Sequence, residues 1–338
     1  MSKGSKPIAV VGAGGWGTAL AWLLAHKGQR VRLWGRTPEL VKRLQTTREN
    51  YKYLPGVRLP EHILATADLP AALRDSELII FAVPSCGVRT IAEQMRASVG
   101  FGAIVVSVAK GLDPTTGQRL SEVLAEILPP TTKIAVMSGP NLSREVVQGI
   151  PTTTVVASAD PTVARRVQEI FNVPTFRVYT NPDVAGVELG GALKNVIAIG
   201  AGISDGLGFG DNTKAALVTR GLAEIRRLGV VLGARAETFS GLTGLGDLVA
   251  TCASPHSRNR RVGFELGQGR SLEEIVAAMG GMVAEGIPTT ATVYRLAQKY
   301  GVEMPITAEI YRVLFEGKSP RQAVADLMRR ATKGEFDD

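Results

Sequence analysis

Eight residues, Glu188-Leu-Gly-Gly-Ala-Leu-Lys-Asn195, set a single lysine inside an otherwise apolar, helix-forming stretch. With residues 184–203 helical, Gly190 and Gly191 stand four and three positions before Lys194 and share its face. Ile197, Ala198 and Ala201 extend that face, and only Ile197 among them is bulky. Glycine in a helix interior costs about 1 kcal/mol relative to alanine, so two in succession need an offset. One offset is a bound molecule lying against the bare backbone beside the ammonium. The other is close helix–helix packing with a solvated lysine. The segment by itself leaves both open.

A second candidate lies at the start of the chain. The apolar run Ile8–Val11 feeds Gly12-Ala13-Gly14-Gly15-Trp16-Gly17 and then a helical pattern, which is G-x-G-x-x-G between a strand and a helix. Gly12 permits the turn, Gly14 lets the backbone approach a pyrophosphate, and Gly17 lets the helix pack on the strand. Exposed N–H groups and the helix dipole favour the diphosphate's charge. A dinucleotide cofactor is therefore expected. NAD-binding chains commonly carry Asp or Glu near the end of the second strand to accept from the ribose 2′-hydroxyl. Here that strand ends Leu33-Trp34-Gly35-Arg36-Thr37, without an acid. Arg36 can pair with a 2′-phosphate, which favours NADPH, or stack on the adenine, which suits NADPH and NADH alike.

Three further groups fill in the chemistry. Lys110 follows the strand Ile104–Ala109, and Ser138-Gly139-Pro140-Asn141 follows the next strand, at the carboxyl edge where open α/β sheets bind ligands. Together they read as a polar rim beside the nicotinamide end. The turn Gly241–Asp247 holds one acid. Ser257, Arg258 and Asn259 come in succession after Pro255 and read either as an anion clamp or as a basic surface turn. His26, His62 and His256 have no acidic partners at ligand spacing, so no metal site is expected, and no Ser or Cys sits in a nucleophile elbow. Hydride chemistry with a lysine acid/base is what remains.

The elements that must position these residues fall into two kinds. Strands are predicted at Ile8–Val11, Val31–Trp34, Leu78–Val83, Ile104–Ala109, Ile134–Met137 and Thr153–Ala157, with a last extended piece at Phe176–Thr180. Helical stretches at Trp16–Lys27, Pro38–Thr46, Gly87–Ala97, Gln118–Ile127 and Pro161–Phe171 alternate with them, the pattern of a parallel α/β sheet. From residue 184 the strand signal stops, and helices are predicted over 184–203, 212–231, 271–279, 289–299, 305–315 and 320–330. The fold class is an α/β Rossmann-type doubly wound sheet followed by an all-helical C-terminal domain. The domains are 1–183 for the dinucleotide and 184–338 for the substrate, with the cleft between them as the ligand site. Residues Gly334–Asp338 are expected to fray.

Composition narrows the class of partner. The 338 residues are 45% hydrophobic and 21% charged, an ordinary globular profile. No uninterrupted apolar run is long enough to span a bilayer and no signal peptide is evident, so membrane insertion is not expected. Cys86 and Cys252 are the only cysteines, which suits a reducing cytoplasm. The formal charge of +8 is scattered and aromatics are only 5%, so a nucleic-acid platform is not expected; a small anionic substrate would still gain from the field.

Taken together, these segments resemble NAD(P)-dependent glycerol-3-phosphate dehydrogenase of the bacterial type over roughly residues 7–330. The resemblance is carried by V-G-A-G-G-W-G-T-A-L (11–20), V-A-K-G-L (108–112), S-G-P-N-L-S-R-E (138–145), E-L-G-G-A-L-K-N-V (188–196), G-L-T-G-L-G-D-L (241–248), S-R-N-R (257–260) and V-A-E-G (283–286). It implies reversible reduction of dihydroxyacetone phosphate to sn-glycerol 3-phosphate, supplying glycerophospholipid synthesis. Lys194 matches the family's proton donor. Lys110, Gly139, Asp247, Ser257, Arg258 and Asn259 match residues that hold the substrate. Gly15, Trp16, Arg36, Lys110, Arg258, Val283 and Glu285 match cofactor contacts, beside Gly12, Gly14 and Gly17 of the turn. One departure falls after Gly139-Pro140, where many members resemble Ser/Thr-Phe-Ala and this chain has Asn141-Leu142-Ser143; Asn141 is then assigned to the substrate and Ser143 to the cofactor. A homodimer is compatible with the apolar patterning of the helical half. Two rival readings are a related two-domain reductase of a hydroxy acid and a non-catalytic dinucleotide-sensing protein.

Overall fold

Apolar runs such as Ile8–Val11 and Leu78–Phe81 are buried along their whole length, as strands covered on both faces must be. In the computed structural model, which describes residues 6–332, 334 and 335, both lie inside an eight-stranded sheet. Of the C-terminal residues expected to fray, 336–338 lie outside the described residues. The strands begin with β1 (Ile8–Val11), β2 (Val31–Trp34), β3 (Glu49–Asn50), β4 (Leu54–Arg58) and β5 (Ile63–Thr66). They continue with β6 (Leu78–Phe81), β7 (Ile104–Ser107), β8 (Lys133–Ser138), β9 (Thr152–Ala157) and β10 (Phe176–Asn181). β3 and β4 form a separate antiparallel ribbon, and the others run β10-β9-β8-β7-β6-β1-β2-β5.

Neighbouring strands of the sheet are parallel except β8 and β9, which are antiparallel. This pair corrects the expectation of a parallel sheet. The only helix between them, Ser143–Val147, has five residues. It covers about 7.5 Å, against about 20 Å for a six-residue strand. Too short to carry the chain back along the sheet, it lets β9 return from the edge at which β8 ended.

Helices α1 (Gly15–His26), α2 (Pro38–Thr47), α3 (Leu69–Leu73), α4 (Val88–Met95), α5 (Leu120–Ile127), α6 (Ser143–Val147) and α7 (Pro161–Phe171) cover the sheet. Leu20 and Leu24 of α1, Leu44 of α2 and Phe171 of α7 share one core with Val10 and Leu33. Leu73 of α3, Met95 of α4 and Leu124 of α5 share another with Ala9, Val11 and Ile79. The sheet is thus wound on both faces, with its carboxyl edge left for loops.

From Val184 the described residues hold no strand. α8 (Val184–Gly206) and α9 (Asp211–Val231) come first, then α10 (Asp247–Ala253), α11 (Arg258–Gly267) and α12 (Leu272–Ala278). α13 (Gly286–Tyr300), α14 (Pro305–Phe315) and α15 (Pro320–Met328) complete the set. α8 is long and apolar enough to cross a membrane by length and composition, contrary to the reading of the sequence, but 89% of its apolar window is buried inside the protein. It is the central helix of a third core, which gathers Leu193, Ile197 and Ile199 with Ile225, Leu248, Val262 and Val293.

α11 was not among the predicted helices, and it crosses α8 backbone to backbone. A Cβ on Gly202 would stand 1.9 Å from the carbonyl oxygen of Arg260, and one on Gly263 would stand 1.9 Å from that of Ile199. Gly206 and Gly267 repeat the arrangement one turn later, against Phe264 and Ile203. Only glycine allows two helices to approach this closely.

Candidate active site

The sheet's carboxyl edge supplies the first half of the site. β1 leads into Gly12, whose φ of +117° and whose missing Cβ, 2.4 Å from the Ala82 carbonyl oxygen, admit no other residue. A Cβ on Gly17 would lie 2.0 Å from the Gly12 carbonyl oxygen, so this glycine closes α1 onto the turn. Gly14 differs from both, with nothing within 4 Å of where its Cβ would be. No side chain caps α1 and no acid occupies its first turn. Its first N–H groups therefore face an open space that suits a diphosphate. The residues present fit a dinucleotide.

The walls of this space come from elsewhere. The Tyr53 carbonyl oxygen and the Ser143 hydroxyl lie 3.0 and 3.8 Å from a Cβ placed on Gly15. Trp16 turns its ring into the core, 6.4 Å from Phe176 between centroids, so its offer to a phosphate is its backbone N–H. Arg36 lies exposed just past β2, its charge felt by the Cys86 thiol after β6. Burial raises that thiol above its usual range.

The second half is a buried ion cluster. Asp247, at the start of α10 and 2% exposed, accepts from two lysines. Lys110 reaches its Oδ2 at 2.8 Å and also donates to the Gly139 carbonyl at 2.8 Å. Lys194 pairs with the other oxygen, Oδ1, and donates to the Thr251 hydroxyl at 2.6 Å. Thr251 is four residues beyond Asp247, on the same face of α10. Burial pulls the Lys194 ammonium down from the usual lysine range to about 7; Asp247 opposes the shift and Lys110 adds to it.

The two glycines before Lys194 now have a physical account. A Cβ on Gly190 would meet the Thr243 carbonyl oxygen at 2.9 Å, and one on Gly191 would meet Ser138 Oγ at 2.3 Å. Close packing, not a ligand against the backbone, is what they serve. The lysine of the packing alternative is not solvated, however: Lys194 is 4% exposed.

Beside the cluster runs a chain of buried amides. Asn195 donates to the Lys110 carbonyl at 3.0 Å, Asn259 donates to Asn195 Oδ1 at 2.9 Å, and the Gly286 N–H donates to Asn259 Oδ1 at 2.9 Å. Ser257 caps α11, its hydroxyl accepting from the Arg260 N–H at 3.2 Å, and Arg258 is exposed at the first position. The basic turn of the sequence is thus a helix start. Glu285 accepts from the Ser85 N–H at 3.0 Å and from its hydroxyl, with the Arg258 charge nearby. Burial raises the Glu285 carboxyl, and Ser85 and Arg258 hold it back. Val283 is half-buried just before it.

Asn141 lies against β9. Its amide donates to the Thr153 carbonyl at 3.0 Å and its oxygen accepts from Thr154 at 3.2 Å, so both ends are engaged by β9. Asn195, Thr251 and Ser85 are residues that the sequence analysis did not assign. Asn195 adjoins Lys194 and Thr251 falls at helical spacing from Asp247, which were the available signals; nothing in the sequence marks Ser85.

Comparison with known proteins identifies the family. A family model described as NAD-dependent glycerol-3-phosphate dehydrogenase N-terminus matches residues 7–164, and its C-terminal counterpart matches residues 183–325. Glycerol-3-phosphate dehydrogenase [NAD(P)+] of Moorella thermoacetica is 56% identical, covering 98% of each chain. That of Geobacillus kaustophilus is 54% identical, over 98% of this chain and 96% of its own. The crystal structure of glycerol-3-phosphate dehydrogenase from Coxiella burnetii superposes with a TM-score of 0.93 at 43% identity, over 96% of this chain and 99% of that one. With this similarity along its whole length, the chain belongs to the NAD-dependent glycerol-3-phosphate dehydrogenase family.

Proposed function

We propose that this protein reduces dihydroxyacetone phosphate to sn-glycerol 3-phosphate, reversibly, with Lys194 as the proton donor. The observation that carries the assignment is Asp247 bridging Lys194 and Lys110 at the carboxyl edge of the sheet. A bound nicotinamide dinucleotide would supply the hydride, held by Gly12–Gly17, Arg36, Ser143, Val283 and Glu285. As the carbonyl oxygen gains negative charge, an ammonium aimed at it stabilises the alkoxide and delivers the proton. Burial makes Lys194 ready to give that proton up. Lys110 supplies a second cation, and Asp247 keeps both lysines in place. Arg258 and Asn259, adjacent at the start of α11, form a clamp for the substrate phosphate with Ser257.

Arg36, with no acid beside it at the end of β2, supports a preference for NADPH over NADH. The boundary between the dinucleotide domain, 1–183, and the substrate domain, 184–338, is supported by the end of β10 at Asn181 and the start of α8 at Val184. Free thiols at Cys86 and Cys252 support a cytoplasmic setting. Exposed Val230, Val231, Val249 and Phe264 on the helical half support a homodimer, which sedimentation would test. The product would serve glycerophospholipid synthesis.

The test is the loss of nicotinamide absorbance with dihydroxyacetone phosphate and either NADPH or NADH. Lys194→Ala is expected to bind dinucleotide and to turn over at least about 100-fold more slowly. Near-normal turnover by that variant would sink the assignment.

A further inference from the structure

α8 carries a stripe beside the one that presents Lys194. Glu188, Gly191 and Asn195 recur at intervals of three and four residues and share a face. All three meet the segment that runs from Lys110 to Ser121. At its near end Asn195 donates to the Lys110 carbonyl at 3.0 Å, and a Cβ on Gly191 would stand 3.6 Å from Lys110 Cγ. The lysine stem thus lies along bare backbone. At the far end Glu188, 4% exposed, accepts from the Ser121 N–H at 2.8 Å, the Ser121 hydroxyl at 2.6 Å and Arg119 at 3.3 Å. Between the two ends Leu112 packs with the helical core.

A buried carboxylate is costly unless donors satisfy it. Those of Glu188 come from one turn of chain, Arg119–Ser121, so its desolvation is offset only while that turn stays seated. We propose that Glu188 is a positioning residue for the reduction: by holding Ser121 it fixes the segment from Lys110 onward against α8 and keeps the Lys110 ammonium on Asp247. The proposal rests on the reading of Lys194 as proton donor.

The titratable and charged groups that face Lys194 are Asp247 and Cys252 of α10 and Lys110. Lys110 favours the neutral amine. When the segment loosens and Lys110 leaves Asp247, Lys194 holds its proton to higher pH.

The experiment compares wild type with Glu188→Ala and Glu188→Gln. For Glu188→Ala, kcat for reduction is expected to fall on the order of 10- to 100-fold, the cost of a small misplacement. Dinucleotide affinity should change far less than kcat, and the alkaline limb of kcat/KM should move to higher pH. Glu188→Gln retains an acceptor for the Ser121 N–H and should lie between the two; it carries the same readouts if the alanine variant does not fold. An unchanged kcat, or a reduced kcat with an unmoved limb, overturns the proposal and leaves Glu188 a core residue. A wild-type protein inactive with both cofactors sinks the Lys194 reading together with this one. An active wild type with unaltered variants sinks this one alone.

Discussion

Glycine is concentrated at the turn Gly12–Gly17 and at the crossing of α8 with α11, and the two regions use its missing side chain differently. At the crossing, each absent Cβ on Gly202, Gly206, Gly263 and Gly267 is replaced by atoms of the opposing helix. At the turn, Gly12 and Gly17 are filled in the same way, whereas Gly14 looks onto nothing. A glycine therefore points to a ligand only where the space beside it is empty, and to a neighbour where it is full. By that test Gly190 and Gly191 side with the crossing, although they precede the reactive lysine.

The comparison is broken most directly at the crossing. Gly263→Ala puts a methyl group into the Ile199 carbonyl and is expected to cost about 3 kcal/mol or more, read from denaturant unfolding. An unchanged midpoint would mean that the helices have room to part. At the turn, Gly14→Ala should leave stability within about 1 kcal/mol of wild type. It should weaken dinucleotide binding about tenfold, or about 1.4 kcal/mol, by direct titration. Equal affinity would remove Gly14 from the cofactor's path.

A pH profile tests the packed side. Lys194 is drawn down to about 7 by burial, from about 10.4 for a free lysine. Reduction needs the ammonium, so kcat/KM in that direction should fall as pH rises through about 7, while oxidation rises over the same range. Because the folded value lies below the unfolded one, the buried charge costs stability below about 7. That cost is relieved as pH climbs towards about 10.4. A limb near 10 would place Lys194 in water. The smallest effect belongs to Arg36, exposed on the open side. Arg36→Ser should move the NADPH-to-NADH rate ratio towards NADH by about two- to fivefold, the worth of an exposed charge pair. An unaltered ratio would leave stacking on the adenine as its role.

These regions also differ in what the sequence disclosed. The turn was legible because a strand, a glycine pattern and a helix follow one another within a few residues. The strands of the sheet were legible for a similar reason, their apolar runs being continuous and bounded by turn residues. β5 was missed because Ile63–Thr66 offers only four residues, alternating buried and half-exposed or exposed, just after Pro60. α11 was missed because Ser257-Arg258-Asn259-Arg260-Arg261 looks like a polar turn, and the face it buries is written partly in glycine. Lys194, Lys110 and Asp247 were each assigned, and only the family resemblance put them at one site; spacing could not. Asp247 lies 53 residues from Lys194 and 137 from Lys110, and tertiary packing alone brings them together. Asn195 and Thr251 stayed hidden because a polar side chain on a mostly apolar helix reads first as ordinary surface.

The burial of α8 has a consequence for how the chain is made. Its apolar length would suit a bilayer, and much of what keeps it from water or lipid comes from later elements. α11, which closes against it through Gly263 and Gly267, ends about sixty residues further on. At roughly 5–20 residues per second of translation, the helix emerges some 3–12 s before its cover. Through that interval the nascent chain displays an uncovered apolar face, and a ribosome stalled between α8 and α11 would leave a fragment fit for aggregation or for a chaperone.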